Sequence, residues 1–456
     1  MLTIILILLF ITGFLFISLL SANFSYTERI GFALPVGLAG VTTLMMFVDW
    51  MHIPVTPTVC TCLCLLLLAA ALVPTFMKRK DFWDGLKQKP SWSWYNVLWL
   101  CLLLVAVYIE VTNFTKCMYY PTTDRDSLAG FDTMGFIAAK EFTYGGMSIF
   151  SDDYMPQIHR AGSVIAYQPM LQLSYMLVYL FDAETSKAIP GLIYLGFLIG
   201  FYGLVRRASS HTAAMLAVTG VLMTPEMVSM SALSATNVMQ ACMAGPGLMY
   251  VCLGFSRKEK HLMTLGFVLL TINCWIRNEG VLFVLIGGML ALIFAIRQRQ
   301  YKVILLPIIA VMPKVLFSLY ALHYNLTSEF AIITHFFWDP DKAKIIGTAA
   351  FLLLKHTMYY GLSFLLFPVA FITNIYFFCK KPGELIAPAC IIAAIFLYFL
   401  TLYHVDYKWD SIYNVLSYSA KRYMFCFIPM SWYFITTCET VKRLFLKVED
   451  YCGYKD

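Results

Sequence analysis

Three acids and an arginine crowd one short stretch of the chain: Asp124, Arg125, Asp126 and, a little further on, Asp132. Carboxylates partly stripped of water can act as general bases or as metal ligands. Asp132 and Asp126 are therefore the first candidates for a catalytic base. Asp124 and Asp126 permit a divalent cation, Mg or Mn, without demanding one. The plainer reading is that each Asp merely caps a helix starting at Asp126 or Asp132. Glu226, after Thr224-Pro225 and ahead of Thr236-Asn237, is either a solvated boundary residue or a second carboxylate facing these acids. The tetrapeptide Arg277-Asn278-Glu279-Gly280 lies between two short apolar arms. Arg277 there either satisfies Glu279 or reaches an anion. Lys421-Arg422 either snorkel to lipid phosphates in general or bind one specific lipid phosphate, which a guanidinium matches bidentately. His159-Arg160 is a weaker site of the same kind, and Lys140 follows Asp132 in the same loop.

The elements that must position these residues are dictated by composition. Of the 456 residues, 60% are hydrophobic and only 13% charged. Mean hydropathy is +0.73. A soluble domain is nearer a quarter charged, so the bilayer has to serve as solvent. That excludes a cytosolic enzyme, a nucleic-acid binder and a disordered scaffold. The apolar runs are continuous rather than alternating, which argues against a β-barrel. The 13 cysteines fall mostly inside apolar runs without zinc-ligand spacing to His, and read as small buried hydrophobes.

Apolar windows predict thirteen spans, near 2–20, 31–48, 58–76, 94–111, 187–205, 212–230, 236–255, 262–276, 281–296, 302–322, 357–378, 385–403 and 423–440. The first lacks a basic leading region and a cleavage site, so it is read as a span. Loops assigned to the cytoplasm hold 20 of the 33 Lys and Arg residues, from Arg29 through Arg206-Arg207 and Lys380-Lys381 to the tail. This positive-inside pattern puts the C-terminus inside and the N-terminus outside. Sixteen of the 26 acids fall on the opposite face. The long loop 112–186 is there, as are the loops 323–356 and 404–422. Its apolar stretch 164–181 is expected to lie in the interface, with Tyr and Gln as the polar side. The sequons Asn113-Phe114-Thr115 and Asn325-Leu326-Thr327 also fall outside. No internal repeat of transporter type is present, and the chain reads as one all-α membrane domain.

Over about 94–440 the chain resembles the GT-C glycosyltransferases, the polytopic superfamily of the aminoarabinose transferases and protein O-mannosyltransferases. The likeness lies in Asp132, Phe136, Ala138-Ala139 and Lys140, then Gly145-Gly146 and Tyr167-Gln168-Pro169-Met170-Leu171. It continues in Arg277-Asn278-Glu279-Gly280 and in Ser419-Ala420-Lys421-Arg422-Tyr423 before Pro429. The family's acidic pair is Asp132-Thr133 here, and its Lys-Pro-Pro is Tyr167-Gln168-Pro169.

The resemblance implies a GT-C-like bundle of about 13 helices carrying juxtamembrane helices on its outer loop. It implies a polyprenyl-phosphate sugar as donor and a glycan, glycolipid or protein as acceptor. The reaction would invert the anomeric carbon on the periplasmic or lumenal side, with the bacterial inner membrane favoured over the endoplasmic reticulum. Asp132 or Asp126 would be the base, and Glu226 would orient acceptor or sugar. Arg277, Arg422, Lys421 and Arg125 would hold the leaving phosphate. Asp124, Lys140, His159, Arg160, Asn237 and Glu279 would support them. The competing class is a transporter or flippase with Lys314, Arg277 and Glu279 along its path. A third is a non-catalytic membrane partner.

Overall fold

In lipid every backbone N–H and C=O must be satisfied within the protein, which leaves helices for continuous apolar runs such as these. The computed structural model describes residues 1–77, 97–122, 124, 126–150, 167–326, 332–334, 336–407 and 411–451. The helices are α1 (Leu2–Leu20), α2 (Tyr26–Trp50), α3 (Pro57–Met77), α4 (Val97–Tyr119), α5 (Asp132–Glu141) and α6 (Met170–Leu180). They continue as α7 (Ala188–Ala208), α8 (His211–Leu222), α9 (Pro225–Ser231), α10 (Asn237–Arg257), α11 (Lys260–Ile276) and α12 (Gly280–Gln298). Then come α13 (Leu305–His323), α14 (Pro340–Lys355), α15 (Thr357–Tyr360), α16 (Ser363–Thr373), α17 (Ile375–Lys380) and α18 (Ile386–His404). The last are α19 (Ile412–Val415), α20 (Lys421–Tyr423), α21 (Phe427–Thr437) and α22 (Glu439–Tyr451). Two short strands, β1 (Ile332–Thr334) and β2 (Val405–Tyr407), pair antiparallel and tie together the loops 323–356 and 404–422.

Among the described residues, nine helices are long and apolar enough to cross a membrane, or ten if α8 and α9 form one bent span. This makes the chain an all-α polytopic membrane protein, with fewer full-length spans than the thirteen expected. The shortfall has local causes. The stretch 212–230 bends by 78° between α8 and α9. Pro225 there opens a new helix, since proline lacks the N–H that would continue the old one. Segment 357–378 is divided into α15, α16 and α17, and α11 has only 17 residues. Of the stretch 164–181, residues 167–181 are described. Its helix α6 is buried along nearly its whole length, against α5, α2, α11 and α3.

Glycines set the closest helix approaches. A Cβ on Gly31 of α2 would fall 2.2 Å from the Gly200 backbone nitrogen of α7. One on Gly37 would fall 2.1 Å from the Leu9 carbonyl oxygen of α1. Small residues at such crossings let membrane helices pack without a hydrophobic drive. The most enclosed span is α10, 94% buried over its apolar window.

Among the described residues, the segments around Arg29, Arg206-Arg207, Arg257 and Lys380-Lys381 and the tail meet at one end. Arg207 pairs with the fully buried Glu28, which also accepts from the Tyr250 hydroxyl at 2.8 Å. Arg257 donates to the Arg207 carbonyl at 2.7 Å, and Lys381 meets Glu439 at 3.3 Å. The tail helix α22 closes this end, its buried Glu449 accepting from the Thr212 hydroxyl at 2.8 Å. The candidate site lies at the opposite end.

Candidate functional site

The first acids sit on one continuous helical stretch. Asp124 accepts from the Ser127 backbone N–H at 3.0 Å and from its hydroxyl at 3.1 Å, so it holds the start of the turn. A π-helical turn, Ser127–Phe131, leads directly into α5. Neither Asp126 nor Asp132 makes a side-chain cap; Asp124 does that work instead. Their carboxylates are therefore available elsewhere. Asp132 Oδ1 accepts from the Tyr179 hydroxyl at 2.8 Å and from the Ser186 hydroxyl at 2.5 Å. Oδ2 takes no hydrogen bond from the described residues, and Asp132 is half-buried.

Two consecutive cations on α20 reach two separate acids. Arg422 Nη1 is ion-paired with Asp126. Lys421 Nζ lies 2.8 Å from Glu226, at the start of α9, and 3.5 Å from the Tyr359 ring centre. All four side chains keep some solvent contact, from 18% to 38% of their surface. The carbonyl of Lys421 accepts from the Tyr360 hydroxyl at 2.9 Å. The turn carrying both cations is thus fixed from α15.

Arg277 occupies the sunken turn between α11 and α12. Its Nε and Nη2 donate to Glu279 at 3.2 and 3.0 Å. Its Nη1 donates to Thr236 Oγ1 at 3.2 Å and to Asn237 Oδ1 at 2.5 Å. The guanidinium lies 4.6 Å from the Tyr167 ring centre. Burial works against the charged guanidinium, but Glu279 and then Tyr167 outweigh it and raise Arg277 above its ordinary value. Burial likewise pushes Glu279 up, and the Arg277 charge wins and lowers it. Gln168 Nε2 donates to Asn278 Oδ1 at 2.6 Å, completing the turn's wall.

Two bridges join this turn to Asp132. Ser186, which bonds Asp132, also lies 2.7 Å from the Ser234 hydroxyl. Thr236 and Asn237, just beyond Ser234, hold Arg277. The Phe131 ring, next to Asp132, is 5.5 Å from the Tyr167 ring that lies against Arg277. Tyr423, following the two cations, stacks 3.8 Å from Tyr398 and reaches the Glu279 carbonyl at 3.5 Å. One polar cluster therefore gathers Asp126, Asp132, Glu226, Asn237, Arg277, Glu279, Lys421 and Arg422.

Other expected members fall away from it. Lys140 is exposed on α5 with its Nζ 5.5 Å from the Phe136 ring centre. Arg125, His159 and Arg160 lie outside the described residues. The Asn113 sequon is inside α4, where Asn113 donates to Ser231 at 2.8 Å, a setting unsuited to a glycan. Asp124 is committed to Ser127 and Asp126 to Arg422, and no group of three His, Cys, Asp or Glu stands together among the described residues. Both acids are thus taken up by protein partners and do not form a built cation site.

Sequence reading missed Tyr179, Ser186 and Ser234, which carry no charge and no motif. It also missed Glu110 on α4. That carboxylate is buried within α4, with Asn113 of the same helix as its side-chain neighbour. An acid inside an apolar run was the available signal.

Fold and cluster together define a multi-pass membrane protein with a half-buried ionic site at one end. No family model, curated protein or solved structure matches the chain.

Proposed function

We propose that the chain is a glycosyltransferase that moves a sugar from a polyprenyl-phosphate donor to an acceptor at the outer, periplasmic or lumenal, face. The full reading has thirteen crossings and a bacterial inner membrane. The observation that carries it is the pair of neighbouring cations, Lys421 and Arg422, each held by an acid from a different element, one of them on the helical stretch that carries Asp132. A phosphate entering from the bilayer edge would replace the two protein carboxylates on them. Each cation exchanges one anion for another, so neither is left unpaired. Lys421 and Arg422 then stabilise the negative charge that grows on the leaving phosphate.

Asp132 serves as the base in this reading. Tyr179 and Ser186 fix it through Oδ1 and leave Oδ2 to take the proton of the acceptor hydroxyl. The acceptor oxygen bonds to the anomeric carbon as the carbon–phosphate-oxygen bond breaks. The polyprenyl phosphate leaves with the electron pair, and the centre inverts. Arg277, with four hydrogen bonds already made, organises Asn237 and Glu279 rather than receiving the phosphate itself.

Native mass spectrometry after gentle extraction tests the reading. The expected result is a co-purifying polyprenyl phosphate or its sugar adduct, lost in Arg422→Ala and Lys421→Ala. Failure to retain any lipid after adding polyprenyl phosphate would overturn it.

One observation favours transport of a polar or lipid-linked solute instead. Gln240, Gln172 and Asn273 are buried in the bundle with side-chain atoms that meet no partner among the described residues, and the Glu110 carboxylate is buried within α4. Buried polar groups in membrane helices commonly line paths. Solute uptake into proteoliposomes, abolished by Glu110→Gln, would decide for it.

A further inference from the structure

His52 follows α2, and His323 ends α13; their Nε2 atoms lie 3.2 Å apart at the surface of the end that holds the ionic cluster. Several features prepare His52 for this position. It adopts a positive φ of 57°, a costly conformation for a non-glycine residue, which turns its ring toward α13. Its Nδ1 lies 3.3 Å from the Tyr324 hydroxyl. That hydroxyl donates its own proton to the Asp49 carbonyl oxygen, so toward His52 it can only accept. The His52 proton therefore sits on Nδ1, and the Nε2 lone pair points at His323.

The Asp49 carboxylate holds the frame around the pair. It accepts from the Gly145 backbone N–H at 2.9 Å and from the Tyr320 hydroxyl. The Trp50 ring packs 6.1 Å from both Tyr320 and His323.

Two nitrogens each about 2.05 Å from one tetrahedral ion stand about 3.3 Å apart. The observed separation is that bite. A metal-bound imidazole also donates its other N–H to an oxygen, which fixes its tautomer, and the Asp49–Tyr324–His52 chain supplies that oxygen. Both rings are exposed, so an ion has a path in.

We propose that His52 and His323 form a binding site for a first-row divalent cation of the Zn²⁺ or Cu²⁺ class, clamping the outer ends of α2 and α13. Imidazole pairs select these ions over Mg²⁺ or Ca²⁺. The described residues give two ligands, and water completes the shell. The site is separate from the ionic cluster and independent of the transfer reading.

The test uses full-length protein, stripped with chelator and reconstituted in nanodiscs, with Zn²⁺ and Cu²⁺ as probes. One equivalent of Zn²⁺ should bind in the micromolar range and raise Tm. Cu²⁺ electron paramagnetic resonance should show hyperfine coupling to two nitrogens. His52→Ala and His323→Ala should each weaken binding at least about tenfold, and Tyr324→Phe should weaken it about tenfold through loss of the oriented tautomer. The spectrum of the unsubstituted protein decides even if a variant misfolds. No stoichiometric binding up to 100-fold excess metal, or a spectrum without two nitrogen ligands, would mean that the pair is only an N–H···N hydrogen bond and would overturn the proposal.

Discussion

Arg422 and Asp126 form an ion pair across 296 positions of sequence. The contact joins the loop before α5 to the turn before α21. Beside it, Lys421 repeats the arrangement with Glu226. The four residues make a double ionic latch whose cations would be exposed to an arriving anion when either acid moves.

The Asp132→Asn substitution should reduce sugar transfer about 10²–10⁴-fold, the usual worth of a positioned base, and leave the folded state intact. Radiolabelled product formed from a polyprenyl-phosphate sugar is the readout, with size-exclusion behaviour as the folding control. Unchanged activity in this variant and in Asp126→Asn would eliminate both acids as the base.

Reversing one side of the latch should be worse than reversing both. Lys421→Glu places two acids side by side and should lower both stability and lipid retention. Adding Glu226→Lys should recover about 0.5–1 kcal/mol of coupling, because the pair is partly exposed and screened. A double-mutant cycle by thermal unfolding measures it, and a coupling of zero would show that the contact has no energetic role.

Arg277→Ala leaves Glu279, Thr236 and Asn237 without their shared donor. Removing one partner of a buried pair costs about 3–5 kcal/mol, so little folded protein should be recovered. Arg277→Lys keeps the charge but loses the fork, and should be intermediate. Thermal unfolding in one detergent ranks the three proteins; equal midpoints would contradict the buried network.

The same pair gives a pH dependence of definite sign. Glu279 titrates below its ordinary value of 4.5, so its contribution is fully present above that pH. It is lost as pH falls through the lower, folded-state value. The midpoint difference between the unsubstituted protein and Glu279→Gln should therefore be constant near neutrality and shrink at acid pH. A difference that grows on acidification would reverse the assignment.

Gly31→Val should separate α2 from α7, since even a Cβ would lie 2.2 Å from the Gly200 nitrogen. Overpacking of this kind costs about 1–3 kcal/mol, with backbone contact at the upper end. Lower Tm and reduced yield are expected. A neutral result would place the helices further apart.

The sequence by itself determined that this chain lives in a membrane, where most of its helices begin and end, and which charged residues merit attention. Those properties are local: apolar length, the placement of Lys and Arg, and the turn residues between spans. The bent span at Pro225 and the enclosure of α6 were decided by tertiary packing, because hydropathy reports solvent preference and does not distinguish lipid from a protein interior. Pairing was likewise invisible. Nothing local says that Arg422 meets Asp126, that Lys421 meets Glu226, or that Thr236 and Asn237 join Glu279 on Arg277. Asp132 drew notice as an acid, but its two hydroxyl partners are a tyrosine and a serine in ordinary surroundings, and only the fold brings them to one oxygen. Composition chooses the solvent for each segment; the mutual approach of distant segments chooses which polar groups share a site, and that is set by packing alone.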